Sequence, residues 1–285
     1  MLLQYRLQNW RKYMAREIKQ VENGQIIGNI EIGYLTDVGC KRDHNEDNLY
    51  VFSPHTDFEK QGMLFAVADG MGGHAGGEFA SRIAVDTLGK YYTGDNEDCS
   101  FLVGLENCIT EANSLIYSQA QSSPVLRGMG TTLTTGIVQN NSLNLGQVGD
   151  SRAYLIRNGS IQQLTNDHSL VAEQIRQGII TEEEAASHPA KNIITRALGT
   201  KAKVEIDFYT FELEPDDRVL MCSDGLHGFV EDPVILKVII DATSAPEACR
   251  QLIAKANENG GPDNITAILV HVRPVKPFWK RLLGL

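Results

Sequence analysis

Four aspartates stand where they could act together. Asp69 follows the apolar run Leu64 to Ala68, and Asp224 follows Val219 to Ser223, so two short buried strands each deliver a carboxylate to a rim. Asp47 and Asp263 instead stand immediately before strands. In an antiparallel sheet the start of one strand lies beside the end of its neighbour, so all four are expected to meet at one edge. Carboxylates crowded in this way raise one another's pKa unless a divalent cation supplies the compensating charge. Hard, oxygen-only ligands point to magnesium or manganese.

Taken singly, Asp69-Gly70 and Asp224-Gly225 are ordinary turn dipeptides. Their surroundings argue for more. Val67-Ala-Asp-Gly-Met-Gly-Gly-His74 concentrates small residues where backbone must approach something closely, although a flexible loop has the same composition. The same pattern continues in Thr36-Asp-Val-Gly39, Arg42-Asp-His-Asn-Glu-Asp47, Gly130-Thr-Thr132, Gly149-Asp-Ser-Arg152, Ser223-Asp-Gly-Leu226 and Asp263-Asn-Ile-Thr266. With Ala68-Asp-Gly-Met-Gly-Gly-His74 these seven blocks, in this order over residues 30–272, resemble the metal-dependent protein phosphatases, also called the protein phosphatase 2C type. The resemblance is closest to the bacterial serine/threonine phosphatases of that family.

The resemblance implies an α+β fold: a four-layer α/β/β/α sandwich with two central antiparallel sheets, metals at one end, and a flap beside the cleft at about 170–199. It implies that Asp69 bridges two Mn2+ or Mg2+ ions, that Gly70 offers its carbonyl, and that Asp224 and Asp263 complete one shell. Glu46 or Asp47 serves the other ion. Being adjacent, the two point in opposite directions on an extended backbone, so sequence leaves that assignment open. Asp150 resembles the residue that, with Asp224, recruits a third and weaker ion; capping a turn is its alternative role. Arg42, by position, is the phosphate-binding arginine, whose planar fork can grip two oxygens.

The implied activity is hydrolysis of phosphoserine and phosphothreonine on proteins, a phosphoric monoester hydrolase opposing a bacterial serine/threonine kinase. Two cations about 3.5–4 Å apart can share a water, lower its pKa and hold the resulting bridging hydroxide in line with phosphorus. No Cys-x5-Arg loop supports a phosphocysteine route. Animal relatives place a histidine after the Asp-Gly, whereas this chain has Met71. His74 is the nearby candidate donor and a metal-bound water the other, so the general acid has no assignment from sequence. Arg196, in the implied flap, is read as a surface salt bridge or a substrate contact.

The elements that must position these residues come in blocks. Strands are expected at 26–35, 48–52 and 63–68, helices at 78–91 and 101–120, then strands at 131–138, 143–148 and 153–157. Gly149, Asp150 and Ser151 suit a tight hairpin turn between the last two. Residues 168–200 read as an inserted surface element with Thr181 capping a short helix. Strands at 204–211, 218–222 and 265–272 and helices at 233–241 and 246–259 complete the chain. Blocks of strands and helices favour antiparallel sheets covered by helices.

A chain of 285 residues with 42% hydrophobic content can bury a sizeable core, and 25–272 reads as one catalytic domain. A net charge of −10 disfavours nucleic acid as partner. Five scattered cysteines suggest neither a zinc site nor disulfides and fit a reducing cytoplasm. No apolar run reaches the roughly 18 residues of a membrane span, and a monomer is expected. Residues 1–24 form a basic extension, and 273–285 a tail with four cations plus Phe278 and Trp279. Either end reads as packing on its own domain or as a weak peripheral contact with an anionic membrane. Two other classes compete: a silent phosphoprotein-binding module, whose signature would be lost metal ligands, and a two-metal nuclease or small-molecule phosphohydrolase, which the charge and motif order disfavour.

Overall fold

The computed structural model of the protein describes residues 23–52, 62–72, 76–93, 101–186 and 188–274. Strand β4 (Met63–Met71) shows how the layers arise from alternation. Met63, Phe65 and Val67 join one hydrophobic cluster while Leu64, Ala66 and Ala68 join another, because successive side chains leave a strand on opposite faces. Strands β11 (Arg218–Cys222) and β12 (Ile265–Val272) alternate likewise: Val219, Met221, Ile268 and Val270 face the first cluster, and Leu220, Cys222, Ala267 and Leu269 face a third.

The strands form two antiparallel sheets. The first contains β1 (Asn23–Ile27), β2 (Ile30–Asp37), β12, β11, β8 (Arg152–Arg157) and β9 (Ser160–Gln163), in that order. The second contains β10 (Asp207–Glu212), β7 (Ser142–Val148), β6 (Leu133–Gln139), β4 and β3 (Asp47–Phe52), with the short β5 (Gly130–Thr131) on the end of β4. Helices α1 (Gly76–Thr93) and α2 (Phe101–Ser122) bury Ala80, Leu88, Ile109 and Ile116 against the outer face of the second sheet.

Outside both sheets, residues 168–206 carry α3 (Leu170–Arg176) and α4 (Glu182–Ala186). Thr181 and Glu184 close a capping box at α4, each side chain accepting the other's backbone N–H. The short α5 (Asp224–His227) follows β11. Helices α6 (Asp232–Asp241) and α7 (Ala245–Glu258) pack Ile235, Ile239, Leu252 and Ile253 on the outer face of the first sheet. The result is the expected α/β/β/α order, with one apolar layer between the sheets and one under each helix pair.

Three expectations change. The single strand at 26–35 is a hairpin, β1 and β2, turning at Gly28, whose φ of 59° is the left-handed region that glycine favours. Asp69 and Gly70 lie inside β4, not after it. Most consequentially, β7 and β8 belong to different sheets, so Gly149–Ser151 is no hairpin turn but a crossing from one sheet to the other. At the crossing Gly149 has φ 111°, and a Cβ there would stand 2.5 Å from Thr132 Cβ. His74, Cys99, Trp10, Trp279 and the tail beyond Pro274 lie outside the described residues. Among the described residues no helix is long and apolar enough to cross a membrane.

Candidate active site

The inter-sheet layer is apolar along most of its length and turns polar at one end, through strand parity alone. Asp69 continues the inward series of Met63, Phe65 and Val67, and Asp47 pairs directly with it across β3 and β4. On the facing sheet Thr36 continues Ile30, Ile32 and Tyr34, and its register partner Thr266 continues Ile268 and Val270. Ser223 continues Val219 and Met221.

These side chains form one directed hydrogen-bond chain. Asn45 Nδ2 donates to Thr36 Oγ1 at 2.9 Å, Thr36 to Thr266 Oγ1 at 2.8 Å, and Thr266 to Asp47 Oδ2 at 2.7 Å. Ser223 Oγ donates to the same Asp47 oxygen at 2.7 Å while accepting the Thr266 N–H. Each hydroxyl has one proton, so the order is fixed. Both donors anchor Oδ2, and the buried Oδ1 of Asp47 has no partner.

Asp69 lies within electrostatic reach of Asp47, Asp224, Asp150 and Asp263. Burial first, then those neighbours, raise its carboxyl well above the usual range. Asp47 is 2% exposed, and burial, against the two hydroxyl donors, pushes it up to about 7. Burial raises Asp150 to about 7 and Asp224 to about 6, with added repulsion from Asp224 and Asp263 respectively. The Asp69 and Asp224 carboxyls are within hydrogen-bonding reach, so one proton or one cation must sit between them.

Glu46 and Gly70 meet at the start of α1. A side chain on Gly70 would collide with the Gly77 carbonyl, and one on Gly77 would stand 2.8 Å from Gly70 O and 2.9 Å from Glu46 Cδ. The Glu46 carboxylate and the Gly70 carbonyl are therefore neighbours. Asn264 fixes the loop between them and Arg42: its amide donates to Val38 O and His44 O, and its oxygen accepts the Glu46 N–H at 2.8 Å. Half-exposed Arg42 pairs with Asp263 Oδ2 at 2.9 Å on the same rim.

Asp150 enters from the sheet crossing. It is 7% exposed, and its Oδ1, like that of Asp47, is buried without a partner. His227 Nε2 donates to the Asp150 carbonyl at 3.0 Å, and the Gly149 N–H donates to His168 Nδ1 at 3.0 Å. Burial lowers both imidazoles, His227 to about 3, so both are neutral near pH 7.

Among the described residues no three or more His, Cys, Asp or Glu side chains are already gathered as a metal-holding group. The fit to a hard divalent cation rests instead on the donors: five mutually repelling carboxylates, two buried oxygens without partners, a backbone carbonyl held in place, and no nitrogen or sulfur among them. Buried anions of this kind need compensating charge.

Comparison with known proteins decides the family. The model for "Protein phosphatase 2C" matches residues 41–265. This chain belongs to the protein phosphatase 2C family, in its bacterial serine/threonine branch. It is 41% identical over 243 residues to "Serine/threonine phosphatase stp" of Listeria innocua, covering 83% of this chain and 94% of that one. The Stp1 structure from Staphylococcus aureus superposes with a TM-score of 0.80 at 35% identity, covering 90% of this chain and all of that one. The catalytic domain of PstP, a serine/threonine protein phosphatase, in complex with two manganese ions gives a TM-score of 0.76 at 36% identity, covering 86% and 99%.

For this phosphatase the structure brings Asp47, Asp69, Asp150 and Asp224 to one end of the sandwich, with Glu46, Gly70, Asp263 and Arg42 on its rim. Arg196 is a structural pair, 2.6 Å from Asp207 and 3.3 Å from Glu205. The sequence placed Thr36, Ser223, Asn264 and Thr266 in motif blocks without giving them roles of their own, and it did not single out His168 or His227. Strand parity carried on from Val219 and Ile268 was the available signal for Ser223 and Thr266; the histidines had none.

Proposed function

We propose that the phosphatase hydrolyses phosphoserine and phosphothreonine on proteins, with two divalent cations, manganese or magnesium, held at the Asp69 end of the sandwich. The observation that carries this is the buried, unpartnered Oδ1 of Asp47 beside the stacked carboxylates of Asp69 and Asp224. Asp69, central among the carboxylates, would contribute to both ions. Gly70 O and Glu46 serve one ion, and Asp224 and Asp263 the other. Asp47, locked by Ser223 and Thr266, works from behind Asp69. Asp150 and Asp224 serve a third, weaker ion. The chemistry such ions supply is activation of water for direct attack on phosphorus.

The chain's own residues do the rest. Arg42 presents a half-exposed planar cation on the cleft rim and grips non-bridging phosphate oxygens. Neutral His227 and His168 fix the Gly149–Asp150 backbone without adding charge to the cluster. Met71, at the end of β4, carries no acidic proton, so the leaving alkoxide is not protonated from that side chain. No basic groove for nucleic acid is implied by a net charge of −10, and the fitting substrates are phosphoproteins made by an opposing serine/threonine kinase.

Turnover of a phosphothreonine peptide and of a small aryl phosphate, measured with manganese, with chelator and with Asp69→Asn, tests the proposal. Activity is expected only with metal and intact Asp69. Turnover in chelator, or an unaffected variant, overturns it.

A further inference from the structure

Outside the carboxylate cluster, the buried His168 ties the sheet crossing to residues 168–206. It lies at the entrance to residues 168–206, is 3% exposed, and uses backbone and ring to join three parts of the molecule. Its N–H donates to Gly149 O at 2.9 Å while Nδ1 accepts the Gly149 N–H, so one residue grips the sheet crossing at two points. Because Nδ1 accepts, Nε2 carries the ring proton and donates to Asp207 Oδ2 at 3.2 Å; Arg196 Nη1 lies 3.1 Å from the same nitrogen and, being a donor itself, is held there by Asp207. Asp207 Oδ1 in turn accepts from Arg196, at the exit of the same segment.

The two ends of the segment are also joined directly. Thr195 N–H donates to His168 O at 2.8 Å, Ser169 bridges to Ile194, and Leu170 N–H donates to Ile193 O at 2.9 Å. The far side of the crossing is held by His227, three residues beyond Asp224 on α5. Any displacement of residues 168–199 thus acts on Gly149 through one residue, by its backbone N–H and its imidazole, and Gly149 precedes Asp150, whose Oδ1 is buried without a partner.

We infer that His168 is a positioning residue that couples the seating of residues 168–199 to cation binding at Asp150. The inference rests on the reading of Asp150 as a ligand of the weaker ion. Coupling of this kind is reciprocal: the ion steadies the segment, and the seated segment strengthens the ion's site. Orienting partners behind a ligand typically change metal affinity about 10–100-fold.

Two substitutions separate the ring's two roles. His168→Asn keeps an acceptor near the Nδ1 position and loses the reach to Asp207; His168→Gln keeps a donor near the Nε2 position and loses the acceptor for Gly149. The readouts are Mn2+ binding to the full chain, followed by the electron paramagnetic resonance of free Mn2+, and amide hydrogen exchange of residues 170–199 at low and saturating Mn2+.

Wild type is expected to bind two tight ions and one weak one, and saturating Mn2+ to slow exchange in 170–199. His168→Gln is expected to weaken only the weak ion, by about 10–100-fold. His168→Asn, which keeps the acceptor for Gly149, is expected to lose less of that affinity than His168→Gln and to lose the Mn2+-dependent protection. An unchanged weak ion in His168→Gln, an equal loss in His168→Asn, or wild-type exchange indifferent to Mn2+ overturns the inference while the tight ions remain. Absence of the tight ions in folded wild type overturns the metal reading itself and the inference with it. Should His168→Gln not fold, Asp207→Asn is the second variant: loss of Mn2+-dependent protection supports the coupling, and unchanged protection overturns it.

Discussion

Asp47 and Asp69 form a directly opposed cross-strand pair on β3 and β4, two like charges where a sheet ordinarily avoids them. Of the two, Asp47 is buried and Asp69 is partly exposed. Such a pair is unfavourable to the fold by itself unless a proton or a cation offsets the repulsion.

Stability of the chelated protein should therefore depend on pH in a way that the metal reverses. Asp47 and Asp150 are raised to about 7 and Asp224 to about 6, against roughly 3.9 for an unfolded aspartate. The folded state holds more protons than the unfolded one, so this contribution is present at low pH and is lost as pH rises through 6–7. His227, lowered to about 3, gives the opposite slope, which ends near its unfolded pKa of about 6.5. From pH 6.5 to 8 the carboxylates act alone. Thermal unfolding in chelator should show stability falling over that window, Asp47→Asn should flatten the fall, and added Mn2+ should stabilise most at pH 8. Rising stability in chelator over the same window would contradict the assignment.

Removing the hydroxyls behind Asp47 should weaken metal binding without touching a ligand. Thr266→Val keeps the shape but takes away one of two donors to Oδ2 and leaves the Thr36 hydroxyl facing a methyl group. The expected outcome is about a 10–100-fold loss in metal affinity and a stability loss of about 1–3 kcal/mol. Thr266→Ser should recover most of both. Equal metal affinity in wild type and Thr266→Val, read by chelator competition, would show that the hydroxyl serves packing alone.

Gly77→Ala tests the close approach of Glu46 and Gly70. The added methyl has the Gly70 carbonyl at 2.8 Å and Glu46 Cδ at 2.9 Å, closer than non-bonded atoms tolerate, so α1 or Glu46 must move. Overpacking of this sort costs about 1–3 kcal/mol. Metal affinity should fall with it, and the melting temperature in chelator should fall less than the melting temperature in Mn2+. An equal fall in both would mean that the methyl disturbs the helix and not the ligands.

The layers were legible from sequence because both sheets obey the period-two rule, and Leu64 to Ala68 or Val219 to Cys222 admit little else. The carboxylates were legible as a group for the same reason, since strand ends decide where they gather. The path of Gly149–Ser151 was not. Three turn-forming residues between two strands read equally well as a hairpin or as a step between sheets, and the choice is made by distant pairing, β7 with β6 and β10, and β8 with β11. The roles of His168 and His227 followed only once that crossing was in place, because the atoms through which they hold Gly149 and Asp150 are backbone atoms, which leave no mark in composition or spacing.

Arg42 and Asp263 share an ion pair, yet their substitutions should move metal affinity in opposite directions. Asp263→Asn removes a ligand charge and should weaken cation binding. Arg42→Ala removes a positive charge 2.9 Å from Asp263 Oδ2, which repels an incoming cation and competes for that oxygen. Metal affinity should then hold or tighten. Efficiency should fall nonetheless, by about 10²–10³ in kcat/KM, if the guanidinium stabilises charge developing on the phosphate. Arg42→Lys keeps the charge but not the fork, so it should recover the metal affinity of wild type and only part of the efficiency. Phosphopeptide kinetics beside Mn2+ titration of the three variants checks this. A parallel loss of metal affinity in Arg42→Ala and Asp263→Asn would assign Arg42 to holding the site together and not to the substrate.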